Sequence, residues 1–507
     1  MRTRAFSLGL GLAAVLAAIP LAGQQERFRK TPPAPESLQL ELGLPPLSPP
    51  AVLSNGLKVS VAYREGTGFM GIELLIYAGE SASPAGAPGL ATFVASLLSQ
   101  GTQVRSAAEL EEVVESLGGT FFVNVNQDYI RVSLHVLEEN LDKALDFLAQ
   151  ILLQPQFLDR NIADIRRMIS YDLQDKEQSP EFAAKRQLYR LLLKGHPYER
   201  LAFSRDFLRP WTVREVQDFF DRFYRPNNAH LILTGNVNLS QATRKISHVL
   251  NTWAPGDIAL PPIQPVRPPE KERICLVDLP QSREACYVFS GTAFPRPSTP
   301  DRAALMVLNQ VLGGSLGSRL LMNLRESKEY ANYAFSELEI YREGGLLFVR
   351  ARVLPEKVVP ALLEIQKEIR SLAGANPALA GEIEPAKTYL LGNFPIGLER
   401  FEQFTARMAD IIGLGAGEEL WNGYYAQVML VDPDRVLKAA QAFLQRPFVT
   451  VIAGDRASLA DRLSVLDAYD IFDAKGQFIA TYAKDKKGAL HEAGGMRPEF
   501  QRGPGQK

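Results

Sequence analysis

The sequence predicts an α+β fold made of two tandem, similarly built domains that are joined by a proline-rich linker. The chain has 507 residues, which is long for one domain and sufficient for two large cores. A strand, strand, loop, helix order in residues 57–100 returns in residues 273–312. Between the two copies, residues 254–271 contain six prolines, a density typical of a semi-rigid spacer.

The first residues have the pattern of an export signal. Arg2 and Arg4 precede an apolar run to Pro20, and small residues at 21–23 offer a cleavage point. A retained membrane anchor is the alternative. We therefore expect an exported protein, in the bacterial periplasm, with no transmembrane span in the mature chain.

The predicted domain boundaries follow from shifts in composition. They give a signal peptide over 1–23, an extended lead-in over 24–47, a first domain over 48–253, the linker over 254–271, a second domain over 272–461, and an accessory segment with a polar tail over 462–507.

Charge and cysteine content exclude several classes of protein. Lys and Arg number 56 against 57 Asp and Glu, which gives no electrostatic reason to expect nucleic acid or an anionic membrane surface. The two cysteines, Cys275 and Cys286, are too few for a disulfide framework. Since they flank a turn at 279–282, both a cross-strand disulfide and two buried thiols remain open.

The elements of the first domain follow from periodicity and capping residues. Residues 89–102 carry apolar side chains at helical spacing and end at Gly101, and Ser106–Glu109 is a capping box that begins the next helix. Alternating residues predict strands over 57–63, 71–77, 121–125, 129–136 and 229–234, with a long amphipathic helix from Leu141 to Leu152.

The second domain repeats this order beyond the linker. Residues 273–278 and 285–291 are strand-like, residues 294–301 form a proline-containing loop, and residues 303–312 form an apolar helix.

Three residues of the helix over 89–102 lie on one side of it. Thr92, Ala95 and Ser96 stand at i, i+3 and i+4, the spacing at which inverted zincins carry H-x-x-E-H. The flanking residues resemble those of the insulinase (pitrilysin-like) zinc peptidases, processing-peptidase-like subfamily; they are Gly89, Leu90, Ala91, Phe93, Gly101 and Thr102. The histidine, glutamate and histidine of that family are replaced, so the motif is degenerate.

The resemblance implies a third zinc ligand on a later helix, and that position falls on Asp172. Hydroxyls are poor zinc ligands, and an alanine cannot move a proton. One carboxylate alone makes no zinc site, so we expect neither a catalytic residue nor a metal in this chain. The spacing of Asp172 after Ile162, Ile165 and Ile169 places it near the core, where it would cap a helix or pair with a basic residue.

A glycine-rich stretch in the second half resembles the segment in which the family carries a substrate-contacting arginine. Gly313 and Gly314 form the turn, and Arg325 matches the arginine. The family's partner tyrosine falls by spacing on Asn332, with Tyr333 one residue later. The alternative is that the glycines cap a helix and that Arg325 makes a surface ion pair.

The resemblance covers residues 48–460 and includes the segments 195–198 and 223–228. It implies domains that close over an extended peptide, and heterodimers in which one subunit lacks zinc. We therefore expect a non-catalytic subunit that pairs with a zinc-bearing homologue, with the zinc in the partner and peptides as substrates. A peptide-binding or structural protein without such a partner is the first alternative, and an enzyme that uses Asp172 in other chemistry is the second.

The histidines suggest no substitute metal pair. Five are present, and none lies at helix-face spacing from another: His135, His196, His230, His248 and His491.

Overall fold

The computed structural model describes residues 45–493 except 203, 204, 206, 207, 209, 259–261 and 486. The predicted signal peptide, most of the lead-in and the end of the tail lie outside these residues. The strands are β1 (Ala51–Val52), β2 (Lys58–Tyr63), β3 (Phe69–Ile76), β4 (Thr120–Val125), β5 (Ile130–Leu137), β6 (Ala229–Gly235), β7 (Arg273–Asp278), β8 (Cys286–Phe294), β9 (Ala331–Tyr341), β10 (Gly344–Val353), β11 (Val449–Gly454), β12 (Ala468–Phe472), β13 (Phe478–Lys484) and β14 (Leu490–Glu492).

Helices follow the strands in both halves. They are α1 (Leu90–Leu97), α2 (Ala107–Ser116), α3 (Leu141–Leu153), α4 (Asp159–Glu177), α5 (Pro180–Leu192), α6 (Val213–Phe223), α7 (Leu239–Leu250), α8 (Thr299–Asn309), α9 (Arg319–Leu321), α10 (Val358–Leu372), α11 (Ala380–Ile396), α12 (Phe401–Gly413), α13 (Gly417–Met429), α14 (Pro433–Leu444) and α15 (Arg456–Leu463). Two tandem domains of mixed helices and strands result, as predicted.

The first half forms a six-stranded sheet in the order β1-β2-β6-β3-β5-β4. Its central strand β6 is buried along its whole length and pairs with β2 in parallel and with β3 in antiparallel orientation. Helices α1, α3, α6 and α7 bury their apolar stripes against one face of this sheet. Strand β4 ends the sheet, so one side of its backbone has no strand partner among the described residues.

The second half forms an eight-stranded sheet in the order β14-β13-β12-β7-β11-β8-β10-β9. Strand β12 pairs in parallel with β7, and β13 and β14 extend the same edge. The sheet of the second half therefore continues past residue 461 into the segment that the sequence set apart as accessory.

Each half lends one helix to the sheet of the other half. Helix α5 packs on the second sheet, where Leu188 Cδ2 would lie 3.2 Å from a Cβ built on Gly291 of β8. Helix α12 packs on the first sheet, where Thr405 Cγ2 would lie 2.5 Å from a Cβ built on Gly71 of β3. Glycine at these two positions makes the room that the exchanged helices occupy.

The two cysteines form no disulfide. Cys275 lies on β7 and Cys286 on β8, but β11 pairs with both strands and separates them. Strands two apart in a sheet are roughly 10 Å from each other, beyond the reach of a disulfide of about 7 Å between Cα atoms. The turn at 279–282 therefore does not join neighbouring strands. Burial raises the pKa of the Cys286 thiol to about 12.

Candidate functional site

Helix α1 keeps the frame that the sequence predicted. It begins after Gly89, whose φ of 93° is in the left-handed region that favours glycine. Phe93 and Val94 are fully buried, and the Phe93 ring lies 4.5 Å from the ring of Trp211 on the approach to α6. The helix is held in place by its apolar side.

A buried carboxylate caps the start of α1. Glu80 accepts hydrogen bonds from the backbone N–H of Gly89 and of Thr92. Its Oε2 also accepts one from the Thr92 hydroxyl at 2.9 Å. Burial raises the pKa of Glu80, and its hydrogen bonds from Ser83, Gly89 and Thr92 oppose that rise. No sequence pattern marks Glu80, because it is a single acidic residue in a glycine- and proline-rich loop.

The degenerate motif positions use their polar atoms within the chain. Thr92 donates to Glu80, and the Ser96 hydroxyl donates to the Thr92 carbonyl oxygen at 2.8 Å. Ala95 lies between them, 2% exposed and without a polar side-chain atom.

Asp172 does not lie near the core, contrary to expectation. Its side chain is 57% exposed and makes an ion pair of 2.7 Å with Lys176 one turn later on α4. Leu173 takes the buried position instead. Ile162 and Ile169 lie on the buried face of α4. Because 3.6 residues complete a helical turn, the residue four positions after Ile169, residue 173, lies on this face, whereas the residue three positions after it turns towards solvent.

These residues do not fit a zinc ion. Among the described residues, no group of three histidines, cysteines or carboxylates is arranged to hold a metal. Thr92 and Ser96 offer neutral hydroxyls that are already committed, and the Glu80 carboxylate is occupied by the helix start.

Gly313 and Gly314, the two glycines of the predicted turn, are closely packed against other parts of the chain. They close a π-helical turn over Gln310–Gly314. A Cβ built on Gly313 would lie 2.3 Å from the backbone nitrogen of Ser336 on β9, and one on Gly314 would lie 2.1 Å from Gln310 Oε1. Neighbouring atoms of the chain therefore leave no room for a side chain at either glycine.

Arg325 lies on a second π-helical turn, Met322–Ser327, and its side chain is 50% exposed. Its Nε is 3.4 Å from an oxygen of the adjacent Glu326. Asn332 is exposed at the start of β9. Within the described part of the chain, no hydrogen bond, ion pair or ring contact joins Arg325 to Asn332 or Tyr333.

Tyr333 has a different cation as its neighbour. The Arg350 guanidinium carbon lies 5.3 Å from the centre of the Tyr333 ring. Burial and the nearby Glu181 carboxylate raise the pKa of the Tyr333 hydroxyl.

An open strand edge lies beside the motif helix. Helix α1 contacts β4, the last strand of the first sheet. Phe122 on β4 is 54% exposed. Unpaired backbone groups along such an edge can accept an additional extended strand.

A cavity of about 690 Å³ lies where the two halves meet. The end of β4 at Asn124 and Val125 lines it, together with α5, the end of β9 and α12.

In the described residues, no helix is both long and apolar enough to cross a bilayer.

Fold and site together define a peptidase-like protein whose motif helix has kept its frame and lost its metal ligands. Family models agree with this description: residues 58–204 match the insulinase (peptidase family M16) model, and residues 210–389 match the peptidase M16 inactive domain model. The chain belongs to the insulinase family.

Relatives from one bacterial strain include both kinds of member. The non-peptidase homolog YmxG of Helicobacter pylori is 24% identical over 70% of this chain and 81% of its own length. The zinc protease PqqE of the same strain is 24% identical over 62% of this chain and 74% of its own length. The crystal structure of a peptidase M16 inactive domain from Pseudomonas fluorescens shares the fold, with a TM-score of 0.73, 21% identity and coverage of 80% and 97% of the two chains.

Proposed function

We propose that this chain is the non-catalytic subunit of a heterodimer whose other subunit is a zinc-bearing insulinase-family homologue. The observation that carries the proposal is the state of α1. Its buried face, its start at Gly89 and its cap by Glu80 are intact, whereas Thr92, Ala95 and Ser96 supply no zinc ligand. A chain that has the family's fold but no zinc ligands can still act by binding a partner or a peptide on its surface.

In this proposal, the chain contributes a binding site for an extended peptide. Strand β4 presents an unpaired edge next to α1, and a peptide that adds to it gains backbone hydrogen bonds without any requirement on its sequence. The partner would supply the zinc, and this chain would hold part of the substrate.

The coexistence of two kinds of relative supports a pairing. A non-peptidase homolog and a zinc protease of one Helicobacter pylori strain both resemble this chain. Export to the periplasm is part of the proposal and rests on the signal pattern of residues 1–23.

Arg325 is the residue that we assign to work across the subunit interface. It is half-exposed, and its ion pair with the neighbouring Glu326 is solvent-exposed and weak. The guanidinium can therefore turn to a carbonyl of a bound peptide. The charged hydrogen bond gained is worth about 1.5–3 kcal/mol, which corresponds to roughly a ten- to hundredfold change in kcat/KM.

The test is a heterodimer reconstituted from this chain and its zinc-bearing homologue. Arg325→Ala should lower kcat/KM for peptide cleavage, with sizing and the zinc content of the partner unchanged. Arg370→Ala is the matched control, since Arg370 is an exposed arginine of the same half that pairs with Glu272. Equal activity of the two variants would remove Arg325 from the mechanism. If no zinc-bearing homologue associates with this chain, the result would favour a peptide-binding protein that works alone.

A further inference from the structure

Four arginines lie together at the junction of the two halves. Arg296 Nη2 donates a hydrogen bond of 2.6 Å to the carbonyl oxygen of Gly415, just after α12. A Cβ built on Gly415 would lie 3.5 Å from Arg296 Nη1 and 3.7 Å from Arg342 Nε, so two guanidinium groups flank this glycine. The charges of Arg296 and Arg407 also act on Arg302. We call these residues the arginine cluster.

Two members of the arginine cluster have no ion pair among the described residues. The side chains of Arg302 and Arg407 make no ion pair or hydrogen bond within the described part of the chain, and Arg342 contacts the Tyr77 ring at 5.3 Å. Burial and the neighbouring arginines lower the pKa of Arg302 to about 10, so its charge persists at neutral pH. Like charges at close range repel each other, and an anion would relieve that repulsion.

The carboxylates of the adjoining cavity are already engaged. Asp410 accepts hydrogen bonds from the Tyr129 hydroxyl at 2.7 Å and from Arg131 at 2.8 Å. Glu339 pairs with Lys185 at 3.1 Å. Asp128 accepts from the Tyr198 hydroxyl at 2.5 Å and from the Arg342 backbone at 2.9 Å. Asp128 also interacts by charge with Arg342. The acids of the cavity therefore compensate Arg131, Lys185 and Arg342, whereas Arg302 and Arg407 have no ion pair in the described part of the chain.

The same cavity connects the arginine cluster to the open strand edge. Asn124 and Val125, the last residues of β4, line it together with Arg407. Apolar side chains such as Phe182 and Leu414 form other parts of its wall. A peptide that adds to β4 would be led past Arg407 in an extended form, with its side chains at a spacing of about 3.3 Å per residue.

We propose that the arginine cluster selects acidic peptides, by pairing with Asp or Glu side chains that follow the segment added to β4. This inference rests on the proposed function and adds a substrate class to it. Guanidinium forks match carboxylates in two parallel hydrogen bonds, and the mixed apolar and charged wall suits a peptide better than an inorganic polyanion.

The experiment compares two fluorescent peptides of twelve residues that differ only in Glu against Gln at four positions. Their affinities for the full exported chain are measured by anisotropy at low and high salt. We expect the Glu peptide to bind at least tenfold more tightly, with the difference reduced by salt. The variant R296Q/R407Q changes two exposed arginines and should abolish the difference. Arg214→Gln is the matched control, because Arg214 is 88% exposed on α6 and distant from the cavity lining.

Each remaining outcome decides against the inference in a distinct way. Equal and measurable affinities for both peptides would reject charge selection and leave peptide binding intact. No binding of either peptide would reject peptide binding by this chain and charge selection with it. Tight binding of tripolyphosphate that R296Q/R407Q abolishes, without competition from the Glu peptide, would assign the arginine cluster to a small polyanion.

Discussion

The Thr405 hydroxyl donates a hydrogen bond of 2.7 Å to Oε1 of Glu73, a carboxylate that is completely buried on β3. Thr405 belongs to α12 of the second half, so this bond joins the two halves through the interior. His135 and Ser133 on β5 complete the network, at 3.0 Å and 2.5 Å from the Glu73 oxygens. A buried carboxyl group is costly to keep in the interior once its hydrogen-bond partners are removed.

Thr405→Val should therefore destabilise the whole chain. It removes one donor from a buried carboxylate at nearly constant volume, and we expect a loss of about 1.5–3 kcal/mol in the free energy of unfolding. Urea unfolding followed by far-UV circular dichroism measures it. Thr388→Val is the control, because within the described ranges the Thr388 hydroxyl bonds only to the Glu384 carbonyl oxygen of its own helix. Equal losses in the two variants would contradict the role of the bond between halves.

Cleavage of the linker should leave the two halves associated. Protease is expected to cut within 254–271, where most residues are exposed, before it cuts the cores. The fragments should still elute together, since α5 packs on the second sheet and α12 on the first. Gel filtration of the nicked protein, with and without denaturant, shows this. Separation of the fragments under native conditions would contradict the helix exchange.

His230 should make the protein less stable at mildly acidic pH. Burial lowers the pKa of His230 from 6.5 to about 4. Its contribution is therefore complete above pH 6.5 and is lost as the pH falls towards 4, by up to about 1.4 kcal/mol per pH unit. His230→Gln keeps a polar partner for Ser60 and should flatten the dependence of unfolding free energy on pH. His248→Gln, at an exposed position, should leave that dependence unchanged. A profile unaffected by His230→Gln would reject this assignment.

The isolated chain should bind no stoichiometric zinc and cleave no peptide. Thr92, Ala95 and Ser96 provide no ligand, and Asp172 is paired with Lys176 in solvent. Elemental analysis after refolding with zinc tests the first part, and a peptidase assay with and without chelator tests the second. One zinc per chain with chelator-sensitive cleavage would overturn this prediction.

The sequence predicted those features that depend on neighbours along the chain. The capping box of Ser106 and Glu109 and the strand Arg273–Asp278 are confirmed, because side-chain period and helix caps act over a few residues. The two-domain α+β fold is confirmed as well.

Features that depend on distant segments were not predictable in this way. The separation of Cys275 from Cys286 results from β11, which enters the sheet more than 150 residues later in the chain. The arginine cluster draws its members from three separate segments of the chain, and no local pattern marks them. The predicted position of Asp172 near the core was wrong by one residue along the helix, because a shift of one residue is enough to move a side chain from the core to solvent.

The exchange of α5 and α12 also constrains how the polypeptide emerges from the ribosome. All six strands of the first sheet are complete at Gly235, but the helix that covers its second face ends only at Gly413. At about 5–20 residues per second, that face waits roughly ten to forty seconds for its cover. During this interval the polar side chains of that face, among them Glu73, Ser133 and His135, remain in contact with water, so their buried network with Thr405 forms only after the second half has been made.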